Sequence, residues 1–144
     1  MPFELNRCSR SMDASMRLST LEVIVENQAP SELQLGVDES YELQLSASSA
    51  DRSSLRASSE WGILRGLETF AQLVIWNGSH HLLCGLPLMI KDTPRMRWRG
   101  LLVDTARHYL PLSSLFTLLD AMQAFKLNVL HWHLTDAQAF PFGS

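Results

Sequence analysis

Apolar and polar residues alternate twice in the first third of the chain, and each alternation predicts a strand with one wet face. Leu21, Val23 and Val25 alternate with Glu22 and Glu26, and Tyr41, Leu43, Leu45 and Ala47 alternate with Glu42, Gln44 and Ser46. Asn27 to Ser31 supplies a turn between them, and Ser53 to Ala57 adds a short third strand. The period then lengthens. Trp61, Leu64, Leu67, Phe70, Ala71 and Val74 recur at helical spacing behind Ser58 or Ser59, either of which can cap a helix. That stripe is expected to cover the dry face of the sheet. Gly62 and Gly66 lower the helix propensity of the same segment, and close approach of helix to sheet is their expected use.

Residues 77–79 form a turn, and His81 to Ile90 reads as one or two short strands around Gly85 and Pro87. Asp92-Thr93-Pro94 punctuates the chain, and a domain boundary is expected there. Residues 1–18 show no sustained period and read as a lead-in. Residues 19–95 are therefore expected to form a small α+β domain, an antiparallel sheet with a covering helix.

The pattern changes again after Arg97. Gly100 to Val103 is a continuous apolar run, as a strand buried on both faces requires. Pro111 with Ser113 or Ser114 starts a helix whose stripe is Leu115, Leu118, Leu119, Met122 and Phe125. Asn128 to His133 is the next strand. Strand, helix and strand over residues 96–144 describe a right-handed βαβ unit with parallel strands.

Composition narrows the function classes. The 144 residues are 46% apolar and 19% charged with a formal net charge of −3, which suits a globular protein and not a binder of nucleic acid. Arg95, Arg97 and Arg99 alternate at the junction, and Arg95 and Arg97 are expected on the solvated surface. No apolar run reaches the ~18 residues of a membrane span. The first ten residues lack the apolar core of a secretory signal, so either the protein is cytosolic or the sequence is not the full precursor. Cys8 and Cys84 have no metal-ligand spacing, and one disulfide or two thiols fit equally. Asn77-Gly78-Ser79 is a glycosylation sequon in a turn, with meaning only in a secretory compartment.

Chemistry in parallel α/β folds collects at the carboxyl ends of strands. Asp104, Arg107 and His108 follow the first strand of the βαβ unit, and His131, His133 and Asp136 end the second. Arg107 fits a structural pair with Asp104 and a clamp on substrate hydroxyls or carboxylates alike. His131 and His133 share one face of their strand because side chains alternate with a period of two. The pair fits metal ligation or packed, hydrogen-bonded histidines, and no third and fourth ligand accompanies it. Asp136 fits a cap on the following segment or a network that tunes a catalytic acid.

The literal strings go further. L-Q-L-G-V-D-E-S-Y-E-L (33–43), W-G-I-L-R-G-L-E-T-F-A-Q-L (61–73), D-T-P-R-M-R-W-R-G-L-L-V-D-T-A-R-H-Y-L-P (92–111), L-D-A-M-Q-A-F-K-L-N-V-L-H-W-H-L-T-D (119–136) and F-P-F (140–142) occur in that order. Together they resemble glycoside hydrolase family 20, the β-N-acetylhexosaminidases of eukaryotic type. The resemblance implies a small α+β domain leading into a (β/α)8 barrel, of which residues 96–144 hold the first strand, helix and second strand. It implies removal of terminal β-linked N-acetyl-hexosamine from glycoconjugates, with the substrate's own acetamido oxygen as nucleophile. No cofactor or metal is implied.

Carried over residue by residue, Arg107 matches the arginine that hydrogen-bonds the sugar hydroxyls. Asp136 and His133 match positions that support the network around the general acid. The chain departs from the family pattern at Ala137, Ala139 and Gly143. The family's catalytic Asp-Glu pair has no counterpart here, since Asp38-Glu39 lies in the small domain. The resemblance thus implies an amino-terminal fragment, inactive alone, of a lysosomal, vacuolar or secreted enzyme that can form a subunit dimer. A non-catalytic interaction protein built on the amino-terminal domain is the alternative.

Overall fold

The computed structural model describes residues 18–27, 32–48 and 51–140. Residues 1–17 of the expected lead-in, Cys8, residues 28–31 of the first turn, and residues 141–144 with Phe142 and Gly143 lie outside them. The chain divides into two compact units, Met1–Pro94 and Arg95–Ser144.

The first unit is built on a four-stranded sheet. Strands β1 (Leu21–Val25), β2 (Tyr41–Leu45) and β3 (Ser53–Ala57) are joined by a later strand, β6 (Leu88–Asp92), in the order β1-β3-β2-β6. β3 runs antiparallel to β2, and β2 antiparallel to β6. β1 runs parallel to β3, in register from Leu21 opposite Ser53 to Val25 opposite Ala57. The sheet is therefore mixed, which corrects the antiparallel expectation. β1 and β3 are neighbours separated in sequence by β2, and that crossover makes a parallel pairing possible.

Helix α1 (Glu60–Leu73) covers this sheet. It starts at Ser59, whose side chain accepts from the Gly62 amide at 3.2 Å and donates to the Asp38 carbonyl. The covering face keeps Phe70 of the expected stripe, which packs against the core, but not Leu64 and Leu67. Gly62, Ile63 and Gly66 are buried, whereas Leu64 is 55% and Leu67 38% exposed. Val74 has left the helix altogether and opens the next strand. Helical periodicity is satisfied by either face, and the two glycines decide between them. A Cβ at position 62 would lie 2.3 Å from the Ser40 carbonyl oxygen, and one at 66 would lie 2.3 Å from Leu55 Cδ1. The helix thus sits on the strands along a ridge without side chains. Beneath it lies the core of Tyr41, Leu43, Leu45, Leu55, Ala57 and Ile63. The Tyr41 hydroxyl hydrogen-bonds Thr69 Oγ1 at 2.6 Å and donates to Asp92 Oδ2 at 3.1 Å, which ties β2 to α1 and β6. Glu39 is buried and paired with Arg65 at 2.5 Å.

The strand region from residue 81 resolves into two elements in different sheets. β4 (Val74–Trp76) and β5 (His81–Leu83) form an antiparallel hairpin of their own, whereas β6 joins the main sheet. Cys84, just after β5, is disulfide-bonded.

The second unit is a strand, helix and strand. β7 (Gly100–Asp104) and β8 (Val129–His133) pair in parallel, and α2 (Leu112–Ala124) connects them. Of β7, Val103 is buried while Leu102 is 60% exposed, so the expected burial on both faces is not met. Leu115 and Met122 of α2 are buried, and Phe125 is 78% exposed. α2 ends with Lys126 in the left-handed region, its φ being 55°. Among the described residues, no helix is long and apolar enough to cross a membrane.

Candidate functional site

The parallel pairing of β7 and β8 sets Asp104 directly beside His133 at the strands' carboxyl ends. The chain leaves β7 in a turn organised by one carboxylate. Asp104 Oδ1 accepts from the amides of Ala106 at 3.0 Å and Arg107 at 3.2 Å, and this brings the Arg107 side chain back over its own strand end. Arg107 Nη2 then pairs with Asp104 Oδ2, and its Nε lies 3.8 Å from Asp136 Oδ2 beyond the end of β8. One guanidinium therefore faces carboxylates from two adjacent strand ends. Asp104 holds it in a close pair and Asp136 faces it from farther off, while Nη1 has no partner among the described residues.

The two strand ends are also stitched together by uncharged groups. The Thr105 amide donates to the His133 carbonyl at 3.0 Å, and Trp132 Nε1 donates to Thr105 Oγ1 at 2.9 Å. Asp136 is held in turn, since it exchanges backbone hydrogen bonds with Ala139 and its Oδ1 accepts from the Ala137 amide at 2.8 Å. It both caps its segment and faces Arg107. His133 Nε2 is buried and has no hydrogen-bond partner among the described residues. A buried ring nitrogen without a partner carries a desolvation cost that a partner from elsewhere would remove.

Electrostatics follow from this geometry. Desolvation pushes the Asp104 carboxyl up, but the hydrogen bonds and charge of Arg107 with the Ala106 amide outweigh it, so the carboxyl sits below the ordinary range. The hydrogen bond to Asp104, its charge and that of Asp136 raise Arg107 further against opposing desolvation. The arginine is a permanent cation held by anions, suited to donate to neutral hydroxyl oxygens.

The structure thus brings Asp104, Arg107, His133 and Asp136 together. His131 is exposed and His108 makes no hydrogen bond among the described residues. No group of three or more His, Cys, Asp or Glu side chains able to hold a metal occurs among the described residues. Asp38 and Glu39 are engaged elsewhere: Asp38 Oδ1 accepts from the Ser40 amide and hydroxyl, and Glu39 is paired with Arg65. Sequence reasoning named Asp104 only as a partner for Arg107 and missed that it also builds the turn. The Asp-x-x-Arg spacing directly after a strand was the available signal.

Comparison with known proteins settles the family. Residues 96–144 match the glycosyl hydrolase family 20 catalytic domain, and residues 3–73 match the beta-acetyl hexosaminidase-like domain. The chain belongs to glycoside hydrolase family 20. It is 44% identical over 115 residues to beta-hexosaminidase subunit A1 of Dictyostelium discoideum, covering 78% of this chain and 20% of that protein. With beta-hexosaminidase subunit beta of Rattus norvegicus it shares 48% identity over 107 residues, or 74% of this chain and 19% of that one. Among solved structures, the chitobiase of Flavobacterium johnsoniae superposes with a TM-score of 0.73 at 35% identity, covering 86% of this chain and 18% of the chitobiase. The family 20 chain thus spans about a fifth of the length of these relatives.

Proposed function

We propose that this chain is the sugar-holding portion of a β-N-acetylhexosaminidase. β7, α2 and β8 begin its (β/α)8 barrel, and Arg107 is the group that grips the terminal sugar. The observation that carries this reading is the placement of Arg107 at paired strand ends between Asp104 and Asp136, in a chain of this family. A guanidinium paired to Asp104 through Nη2 keeps its remaining donors for another acceptor. A non-reducing terminal sugar offers hydroxyl oxygens that accept them.

In the proposed reaction the substrate's acetamido oxygen attacks its own anomeric carbon. The nucleophile is already tethered, so binding has met much of the entropic cost of the encounter. A carboxylic acid protonates the leaving oxygen and a neighbouring carboxylate orients the acetamido group, both from strands beyond β8. Asp136 and His133 support that network. His133 Nε2 is buried without a partner, which suits a hydrogen bond to an acidic residue of the next strands. On this reading the 144-residue chain is inactive alone, since its one Asp-Glu pair, Asp38-Glu39, is consumed by local structure.

The reading extends to compartment and assembly. A disulfide at Cys84 suits an oxidising compartment, hence the lysosome, the vacuole or the cell exterior. Relatives named as subunits suggest that the full enzyme pairs with another hexosaminidase subunit. The test is kinetic. In the longest product of the gene, Arg107→Ala is expected to lower kcat/KM on a chromogenic N-acetylglucosaminide by about 10- to 100-fold, the loss of one charged hydrogen bond. Arg107→Lys keeps the charge and loses the fork, so little rescue is expected. Unchanged kcat/KM in Arg107→Ala would remove Arg107 from the site.

A further inference from the structure

The β4–β5 hairpin ends in a tip that the sugar-holding site does not use. Trp76 and His81 close the ladder, their rings 4.8 Å apart, and residues 77–80 make the turn. The tip carries the one Asn-x-Ser/Thr triplet of the sequence, Asn77-Gly78-Ser79. Asn77, Gly78, Ser79 and His80 are all exposed. The Asn77 amide donates to the His80 carbonyl at 3.1 Å, and Asn77 Oδ1 accepts from the amides of Ser79 at 3.0 Å and His80 at 2.8 Å. The Ser79 hydroxyl donates to the same oxygen at 3.2 Å. Asn77 Nδ2 has no partner among the described residues. Gly78 adopts a φ of +100°, and apart from its chain neighbours nothing lies within 4 Å of where its Cβ would be, so the turn is open at that position.

We propose that Asn77 is N-glycosylated, and that its glycan projects from the tip of the β4–β5 hairpin. The donor is a lipid-diphosphate-linked oligosaccharide. The bond from Asn77 Nδ2 to the sugar C1 forms, and the bond from C1 to the diphosphate oxygen breaks. The lipid diphosphate leaves with the electron pair, and Nδ2 gives up one proton. Oδ1 is the atom of the carboxamide that the turn engages, and the nitrogen that must react has no partner among the described residues. The hydroxyl at Ser79 is the one the reaction requires at the third position of the triplet.

An independent observation supplies the compartment. Cys84 follows the same hairpin and is disulfide-bonded, and the oxidising lumen that makes disulfides is where this transfer occurs. The glycan would also stand beside Trp76, which is 56% exposed. The proposal rests on the compartment reading given above, so the experiment separates the two.

The 144-residue chain is translated behind a cleavable export signal in the presence of endoplasmic-reticulum microsomes, and protease protection identifies translocated molecules. The protected chain is expected to gain the mass of one glycan, which peptide N-glycosidase removes. Asn77→Gln and Ser79→Ala are expected to lose the gain, and Ser79→Thr to keep it. A protected chain with no gain, or a gain that persists in Asn77→Gln, overturns the proposal. The compartment reading is tested apart, by fractionating cells for the native gene product: recovery from the cytosol with Cys84 reduced would overturn that reading whatever the microsomes show.

Discussion

Arg107 is held by carboxylates, and on the proposed reading its grip on the sugar depends on them. Asp104 uses one oxygen to build the turn and the other to pair with the guanidinium, so its loss should be felt at Arg107. Asp104→Asn keeps the size and can still accept hydrogen bonds, but it removes the charge. In the longest gene product it is expected to lower kcat/KM in the same direction as Arg107→Ala and by less, and an unchanged value would show that Asp104 has no part in positioning. The pH dependence has a definite sign. The folded Asp104 carboxyl lies below its ordinary value of 3.8, so the pair is complete above that value. It is lost as pH falls beneath 3.8 through the folded value. The side-chain Nη–H resonances of Arg107, followed down in pH, should report the loss of the Asp104 pair only below that point. A shift centred nearer neutrality would mean that another group holds the arginine. From the sequence, Arg107 and Asp104 were legible as neighbours after a strand. Their choice between structure and substrate was not, because spacing does not show which donors remain open. The turn amides gathered by Asp104 are two and three residues on, a local signal that periodicity does not register.

At the scale of elements, α1 shows how far pattern alone reaches. Its existence, its start near Ser59 and its use of two glycines for close approach follow from local chemistry. The face it buries does not, because Leu64 and Leu67 are apolar yet exposed while Gly62 and Gly66 are buried. An apolar stripe marks a side chain's preference, whereas a glycine ridge marks where the backbone must approach. Substitutions can rank the two glycines. A methyl at 62 meets the backbone oxygen of Ser40, which cannot step aside, and a methyl at 66 meets the end of the Leu55 side chain. Gly62→Ala is therefore expected to cost about 2–3 kcal/mol and Gly66→Ala about 1–2 kcal/mol, the range of overpacked cores. Urea unfolding of residues 19–95 measures both, and a stabilised Gly62→Ala would refute the packing described. Ser59→Ala removes the cap on the Gly62 amide and should cost about 1 kcal/mol in the same assay. The parallel β1–β3 pair was equally hidden. Alternation predicts a strand and its wet face but carries no information about the direction of its neighbour.

At the scale of the whole molecule, the two units differ in how completely they cover their apolar surface. The first has a closed core of strand and helix residues with Leu43 and Leu55 at 0% exposure. The second leaves Leu102 at 60%, Phe116 at 61% and Leu119 at 45%, apolar surface of a kind that promotes association. Residues 19–95 are accordingly expected to unfold cooperatively when expressed alone, and the 144-residue chain to self-associate. A well-dispersed, cooperative 144-residue monomer in sedimentation and NMR would count against the fragment reading. The central claim is that the chain holds the sugar without the acid that cuts the bond. Its most direct measurement is the hydrolysis of a chromogenic β-N-acetylglucosaminide by the purified 144-residue chain, set beside the longest product of the same gene. The account predicts turnover by the longer protein and none by the chain. Turnover by the pure chain that survives Arg107→Ala would contradict it.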